Sequence, residues 1–168
     1  ILQKIASVYI TIIRGIPLMI LALFLYFGVI KNSLTLVLAA IIILGINASA
    51  YMAEIFRAGI QAIDYGQMEA ARSLGLPYSR AMIRVVLPQA IRTMIPSIIN
   101  QFIITLKDTS ILSVIGFPEL VNTAKNVVAN SFMSFQTWGI VAVMYLIVIT
   151  ILSKVAKIVE RRLNRGRK

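Results

Sequence analysis

The sequence predicts an all-α protein built from several membrane-spanning helices. Three observations carry that prediction. Apolar residues make up 59% of the 168 and charged residues only 14%, against roughly 45–50% and 25% in water-soluble domains. Long tracts are free of charge: 16 residues between Arg14 and Lys31, 22 from Asn32 to Ala53 and 28 from Asn126 to Ser153. The apolar tracts do not alternate. Leu36-Val37-Leu38-Ala39-Ala40-Ile41-Ile42-Ile43-Leu44 is unbroken, whereas the strands of a barrel need alternating segments of ~10 residues.

A helix needs ~20 residues to cross a hydrocarbon core about 30 Å thick. Four spans are expected, at roughly 10–30, 33–54, 90–115 and 136–157. The first borrows Tyr9 to Ile13, because Arg14 can snorkel toward the headgroups. The second is the tract just quoted and its continuation. The third is interrupted only by Lys107 and Asp108, and Pro96 should curve it. The fourth follows Phe132, Phe135 and Trp138, which suit a membrane–water boundary.

Orientation follows from the cations. With both termini inside, 14 of the 17 Lys and Arg residues fall on the inner side and only Lys31 and Lys125 on the outer, with Lys107 in a span. That asymmetry is the positive-inside pattern and places the C-terminus in the cytoplasm. The net charge of +11 therefore reads as topology and not as a nucleic-acid surface, because the charges flank helices instead of forming one patch. The basic tail from Arg161 to Lys168 reads as a lipid-headgroup anchor. With no His and no Cys, imidazole bases, thiolate nucleophiles, disulfides and the usual zinc and iron–sulfur ligand sets are excluded, and no cofactor is implied. The chain starts at Ile1 without a signal peptide, so an N-terminal segment is expected to be missing.

The stretch from Ile55 to Gln89 is helical in character but too polar to span. Asp64 to Leu74 reads as a short helix, with Gln67, Met68, Glu69, Ala70 and Ala71 as good helix formers and Glu69 and Arg72 as an i,i+3 ion pair. Gly75 supplies the left-handed residue that ends it. Pro77 suits the first position of a second helix, which Leu87-Pro88 is expected to close. The result is a helix–turn–helix elbow on the cytoplasmic side.

Glu69-Ala70-Ala71, three residues, Gly75, nine residues and Val85-Val86-Leu87-Pro88 resemble the EAA loop of permease subunits of ATP-binding-cassette importers, with Val85 where that family has Ile. Arg14-Gly15-Ile16-Pro17-Leu18 is similar to the family's Arg-Gly-Thr-Pro-Leu, with Ile16 for Thr. Ala53-Glu54-Ile55-Phe56-Arg57-Ala58-Gly59-Ile60, Leu87-Pro88-Gln89-Ala90 and Leu106-Lys107-Asp108-Thr109-Ser110 resemble the polar-amino-acid branch. The resemblance covers nearly the whole chain, 1–168, with residues 64–88 as the coupling loop. It implies a pore-forming subunit in a bacterial inner membrane, paired with a second identical or homologous permease subunit. It also implies ATPase subunits on the inner face and an external solute-binding protein that delivers a polar amino acid. No G-x-x-x-x-G-K-[ST] motif occurs in the chain, so it lacks that device for holding ATP and is expected to be a transporter subunit, not an enzyme.

Several residues keep two readings. Glu69, Ala70, Ala71, Gly75, Leu87 and Pro88 are candidates for coupling to the ATPase; Glu69 also suits an N-terminal helical turn, and alanine is ordinary helix filler. Lys107 and Asp108 within a span must face protein or a polar path, so they are a solute site or gate, an ion pair between helices, or residues nearer the outer interface than the span bounds imply. Thr109 and Ser110 either line that path or bond back to the preceding turn. Asn47 and Glu54, seven apart on one helical face, together with Asn100, either bind solute or join helices. An importer for another small solute such as an opine or osmolyte, and a passive channel or membrane scaffold, remain as alternatives. An intramembrane enzyme lacks an evident second carboxylate beside Asp108.

Overall fold

The computed structural model describes residues 1–30 and 35–164, with side chains through Arg161. Every regular element among them is helical. In chain order they are α1 (Leu2–Gly15), α2 (Leu18–Leu23), α3 (Leu36–Gln61), α4 (Tyr65–Ser73), α5 (Tyr78–Ala81), α6 (Leu87–Asp108), α7 (Leu120–Ser131) and α8 (Ser134–Asn164). Wide π turns run on from α2 (Phe24–Ile30) and join α5 to α6 (Met82–Val86), and a 3₁₀ stretch (Thr109–Ile115) extends α6. Leu36–Gln61, Tyr78–Ile115 and Ser134–Arg161 are each long and apolar enough to cross a membrane, and the α1–α2 pair makes a fourth crossing if counted as one.

Three expectations about these elements are corrected. The span at 10–30 is not one rod: Leu2–Gly15 and Leu18–Ile30 meet at 104°. Ile16 is extended there (φ −102°, ψ 128°), as the residue before proline prefers. The span at 33–54 continues to Gln61; its first residues, with Lys31, lie outside the described residues. The extension is possible because Glu54 and Arg57 neutralise each other one turn apart, so neither charge ends the helix. Third, Leu87-Pro88 closes nothing. The helix runs from Tyr78 through Pro88 and Pro96 to Ile115. A π turn widens the backbone just before Pro88, with the Leu87 amide donating to Met82 O. The proline ring is thereby relieved of its usual collision with the preceding turn. The Gln89 side chain donates to the Val85 carbonyl at 2.9 Å.

The core is thin and built of small residues. Ala40 and Ile43 of α3 pack with Ala22, Leu112 and Ile115. Ile13, Leu21 and Ala50 form a second cluster where the bent pair crosses α3. The Tyr9 hydroxyl meets Ser49 Oγ at 2.6 Å and pins α1 to α3. Small side chains let helices approach closely where lipid provides no hydrophobic drive. Much of the remaining apolar surface faces outward, as on Ile140, Leu146 and Ile151 of α8. Phe132 and Phe135 are also exposed, at the α7–α8 corner.

Candidate functional site

The elbow is a small folded unit of its own. Asp64 caps α4, its Oδ1 accepting from the Gly66 amide at 2.6 Å, which satisfies one of the free donors at a helix start. The other end closes with the Gly75 amide on Arg72 O (2.9 Å) and the Leu76 amide on Ala71 O (3.2 Å). That paired closure needs a left-handed residue, and Gly75 has φ +84°. Pro77 caps α5 and so sits one residue before its expected position. Met68, Ala71, Ala81 and Val86 are buried together, flanked by Ile63, Leu76, Met82 and Val85. Burying one Met-sized side chain is worth about 1.5–3 kcal/mol, so this core holds α4 firmly against the start of the long rod. A Gln89 to Gln67 hydrogen bond at 3.3 Å adds a polar tie.

The candidate coupling residues therefore divide. Glu69, Ala70, Gly75 and Pro88 are on the surface, Ala71 is inside the elbow, and Leu87 is half-buried in the rod. The expected Glu69–Arg72 ion pair is absent among the described residues, whose ion pairs all involve Glu54. Both side chains are in water, where such a pair gains little. Leu74, 85% exposed, forms the tip.

The candidate path residues fall into two groups. Glu54 anchors the first. Its carboxylate accepts from Arg57 Nε at 3.1 Å and from Arg57 Nη2. Arg14 reaches the same carboxylate across from α1, Nη1 to Oε2 at 3.8 Å, while its guanidinium lies 5.5 Å above the Tyr51 ring. Arg14 thus does not snorkel away; it is held between helices by a carboxylate and an aromatic face. A cleft of about 370 Å³ opens beside this cluster between α3 and α6, lined further by Gly59, Met94, Ser97 and Gln101. Asn47 is buried two turns further along α3, and Asn100 is exposed on α6.

Lys107, Asp108, Thr109 and Ser110 form the other group, where α6 tightens into the 3₁₀ stretch. Lys107 is exposed and Asp108 half-buried, and neither joins an ion pair among the described residues. Thr109 Oγ1 and Ser110 Oγ each donate to a carbonyl three residues back, both at 2.7 Å, the back-bonding that is one of the two readings of these residues. Lys107 and Ser110 line a cleft of about 580 Å³ against Trp138, Val141 and Tyr145 of α8. Sequence reasoning missed the Arg14–Tyr51–Glu54–Arg57 cluster as a unit. The signal available was the i,i+3 spacing of Glu54 and Arg57; that Arg14 joins them depends on the bend at Ile16.

Apolar rods, an elbow fused to one of them and charged groups held between helices describe a polytopic membrane protein. The family model described as binding-protein-dependent transport system inner membrane component matches residues 1–166, and the chain belongs to that family. It is a multi-pass inner-membrane transport subunit. It is 40% identical over 167 residues to the probable glutamine ABC transporter permease protein GlnM of Bacillus subtilis, covering 98% of this chain and 77% of the relative. It is 38% identical to the glutamine transport system permease protein GlnP of Escherichia coli over 96% of this chain and 76% of that one. The arginine transport system permease protein ArtQ of Bacillus subtilis is 36% identical, with coverage of 95% and 74%. Among solved structures, that described as an amino acid ABC transporter with histidines superposes with a TM-score of 0.91 at 42% identity, over 95% of this chain and 76% of that one. The inward-facing MetNI methionine transporter, at 20% identity and a TM-score of 0.79 over 96% and 76%, shares the fold.

Proposed function

We propose that this chain is the pore-forming permease subunit of an ATP-binding-cassette importer for polar amino acids. One observation carries the proposal beyond kinship. The elbow has its own core, and its second arm is the start of a continuous 38-residue helix, Tyr78–Ile115. At ~1.5 Å per residue that rod is about 57 Å long. A push on α4 is thereby delivered through the packed core of the elbow to a membrane-crossing element. ATPase subunits seat against the exposed side of the elbow, residues 64–88, where Glu69, Ala70 and Leu74 are presented. They supply the ATP hydrolysis that this chain does not. A second permease subunit completes the pore, an external binding protein loads it, and the C-terminus is cytoplasmic. Asn47, Glu54, Asn100 and Lys107 to Ser110 are assigned to the solute path. Alternation between outward and inward openings then requires a two-state bundle whose balance ATP shifts.

The test is uptake of labelled L-glutamine and L-arginine into proteoliposomes holding the full assembly. ATP-dependent uptake is expected, with Glu69→Lys and Gly75→Asp inserted normally but uncoupled. Undiminished ATP-driven uptake by both variants contradicts the coupling assignment, and uptake independent of ATP and partners points to a passive channel.

A further inference from the structure

The charged cluster at the inner end of α3 separates two clefts. Arg14, Tyr51 and Glu54 line both the 370 Å³ cleft toward α6 and a larger one of about 710 Å³ between α1 and α3. The α1 wall of the larger cleft carries Gln3, Ser7, Thr11 and Arg14, spaced four, four and three residues apart. Such spacing puts them on one face, and a polar stripe has no role against lipid. The partition between the clefts is thus one carboxylate, one guanidinium and one phenol ring, with Arg57 on the side of the larger cleft.

The two guanidiniums are held differently. Arg57 grips Glu54 through two nitrogens and also donates to Gln61 Oε1 at 3.1 Å. Arg14 stands 3.8 Å from Glu54, beyond hydrogen-bond length, and keeps its donors available to another acceptor. A loosely held guanidinium beside a carboxylate that Arg57 already anchors is matched by a molecule whose anion and cation are attached to one carbon. Free α-amino acids have that form.

We propose that Arg14 and Glu54 form a zwitterion-matching gate between the two clefts. The α-carboxylate of the solute takes the Arg14 guanidinium while its ammonium takes Glu54, so the solute itself parts the pair that blocks its way. Tyr51 holds the released guanidinium in place by its ring face. A solute without the carboxylate parts Arg14 from Glu54 and offers the guanidinium no new acceptor, which is the costly outcome in a partly desolvated site; Glu54 keeps Arg57 in either case. The proposal rests on the amino-acid permease reading and adds to it the group recognised and the residue that recognises it.

The chain has no cysteine, so Ser7→Cys places a single thiol in the larger cleft. The experiment measures the rate at which an anionic methanethiosulfonate labels that thiol in the assembled transporter in proteoliposomes. L-glutamine and L-arginine are expected to slow labelling, and their α-carboxamides to do so far less. In the Arg14→Gln background the concentration of amino acid giving half-protection should rise about tenfold or more, the weight of a charge-assisted hydrogen bond. Equal protection by acids and amides, absence of protection by either, or protection unchanged by Arg14→Gln overturns the gate. ATP-driven uptake is read in the same vesicles: uptake without this discrimination refutes the gate alone, and failure of any amino acid to be taken up refutes the permease reading itself.

Discussion

Gly59 of α3 sits against Met94 of α6, and its replacement gives a calculable penalty. A methyl added there would stand 2.0 Å from Met94 Cγ and 2.9 Å from its sulfur, whereas carbon atoms rest comfortably at about 3.5–4.0 Å. Met94 is itself buried at 4% exposure, and the obstructing atom is near the root of its side chain, so a simple swing of the tip does not clear it. Overpacking costs about 1–3 kcal/mol. Alanine in place of glycine returns about 1 kcal/mol of helix propensity. The expected net loss for Gly59→Ala is therefore up to about 2 kcal/mol, and Gly59→Leu should lose more. Combination with Met94→Ala removes the clash, so the double variant should be more stable than the sum of the single effects by about 1–2 kcal/mol. The assay is a denaturing-detergent titration of the purified protein in micelles, followed by helix content, run as a complete cycle. Additivity of the two substitutions to within about 0.5 kcal/mol would refute the reasoning.

Three further outcomes follow from local geometry. Gly75→Ala meets no atom within 4 Å of its new methyl, so its cost is the left-handed backbone alone, about 1–2 kcal/mol; Gly75→Asn should cost less, and hydrogen exchange at the Leu76 amide reports both. Asp64→Ala removes the cap of α4 and should loosen the elbow by about 1 kcal/mol, seen as faster exchange at Gly66 while the amides of α3 are unchanged. Tyr9→Phe deletes the hydroxyl that meets Ser49; interhelical hydrogen bonds in membranes average about 0.6 kcal/mol, so the detergent midpoint should fall only slightly, and a loss above about 2 kcal/mol would show that more than this bond was disturbed.

Most of the fold was legible because bilayer chemistry leaves few choices. Most of the uncharged tract 126–153 lies in one helix, α8, while its first residues end α7 ahead of the turn at Phe132. The elbow was legible because local rules decide it: Asp64 caps, Gly75 turns, and the apolar residues between them bury one face. The misreadings share one cause, which is that a local rule was applied where the helix had a remedy. Pro88 ends helices in general, but a π turn one step earlier accommodates it. Arg57 breaks an apolar count, but Glu54 neutralises it within the same helix. Arg14 in a first span at 10–30 is expected to snorkel toward the headgroups. The 104° bend at Ile16-Pro17 instead sets it against α3. Long-range groupings of this kind depend on bend angles and helix crossings, which no spacing in the sequence encodes. The same holds for the separation of the Glu54 group from Lys107 and Asp108, which line different clefts.

In the proposed function the elbow is the point where another subunit's motion enters the membrane bundle. Leu74 at its exposed tip offers the direct probe, because Leu74→Cys gives the chain its sole thiol. In the assembled transporter, a short crosslinker at this position should capture the ATPase subunit, with a yield that changes between nucleotide-free and ATP-bound states. Capture of no ATPase subunit while uptake proceeds, or labelling of the thiol from the outer face of the membrane, would contradict it.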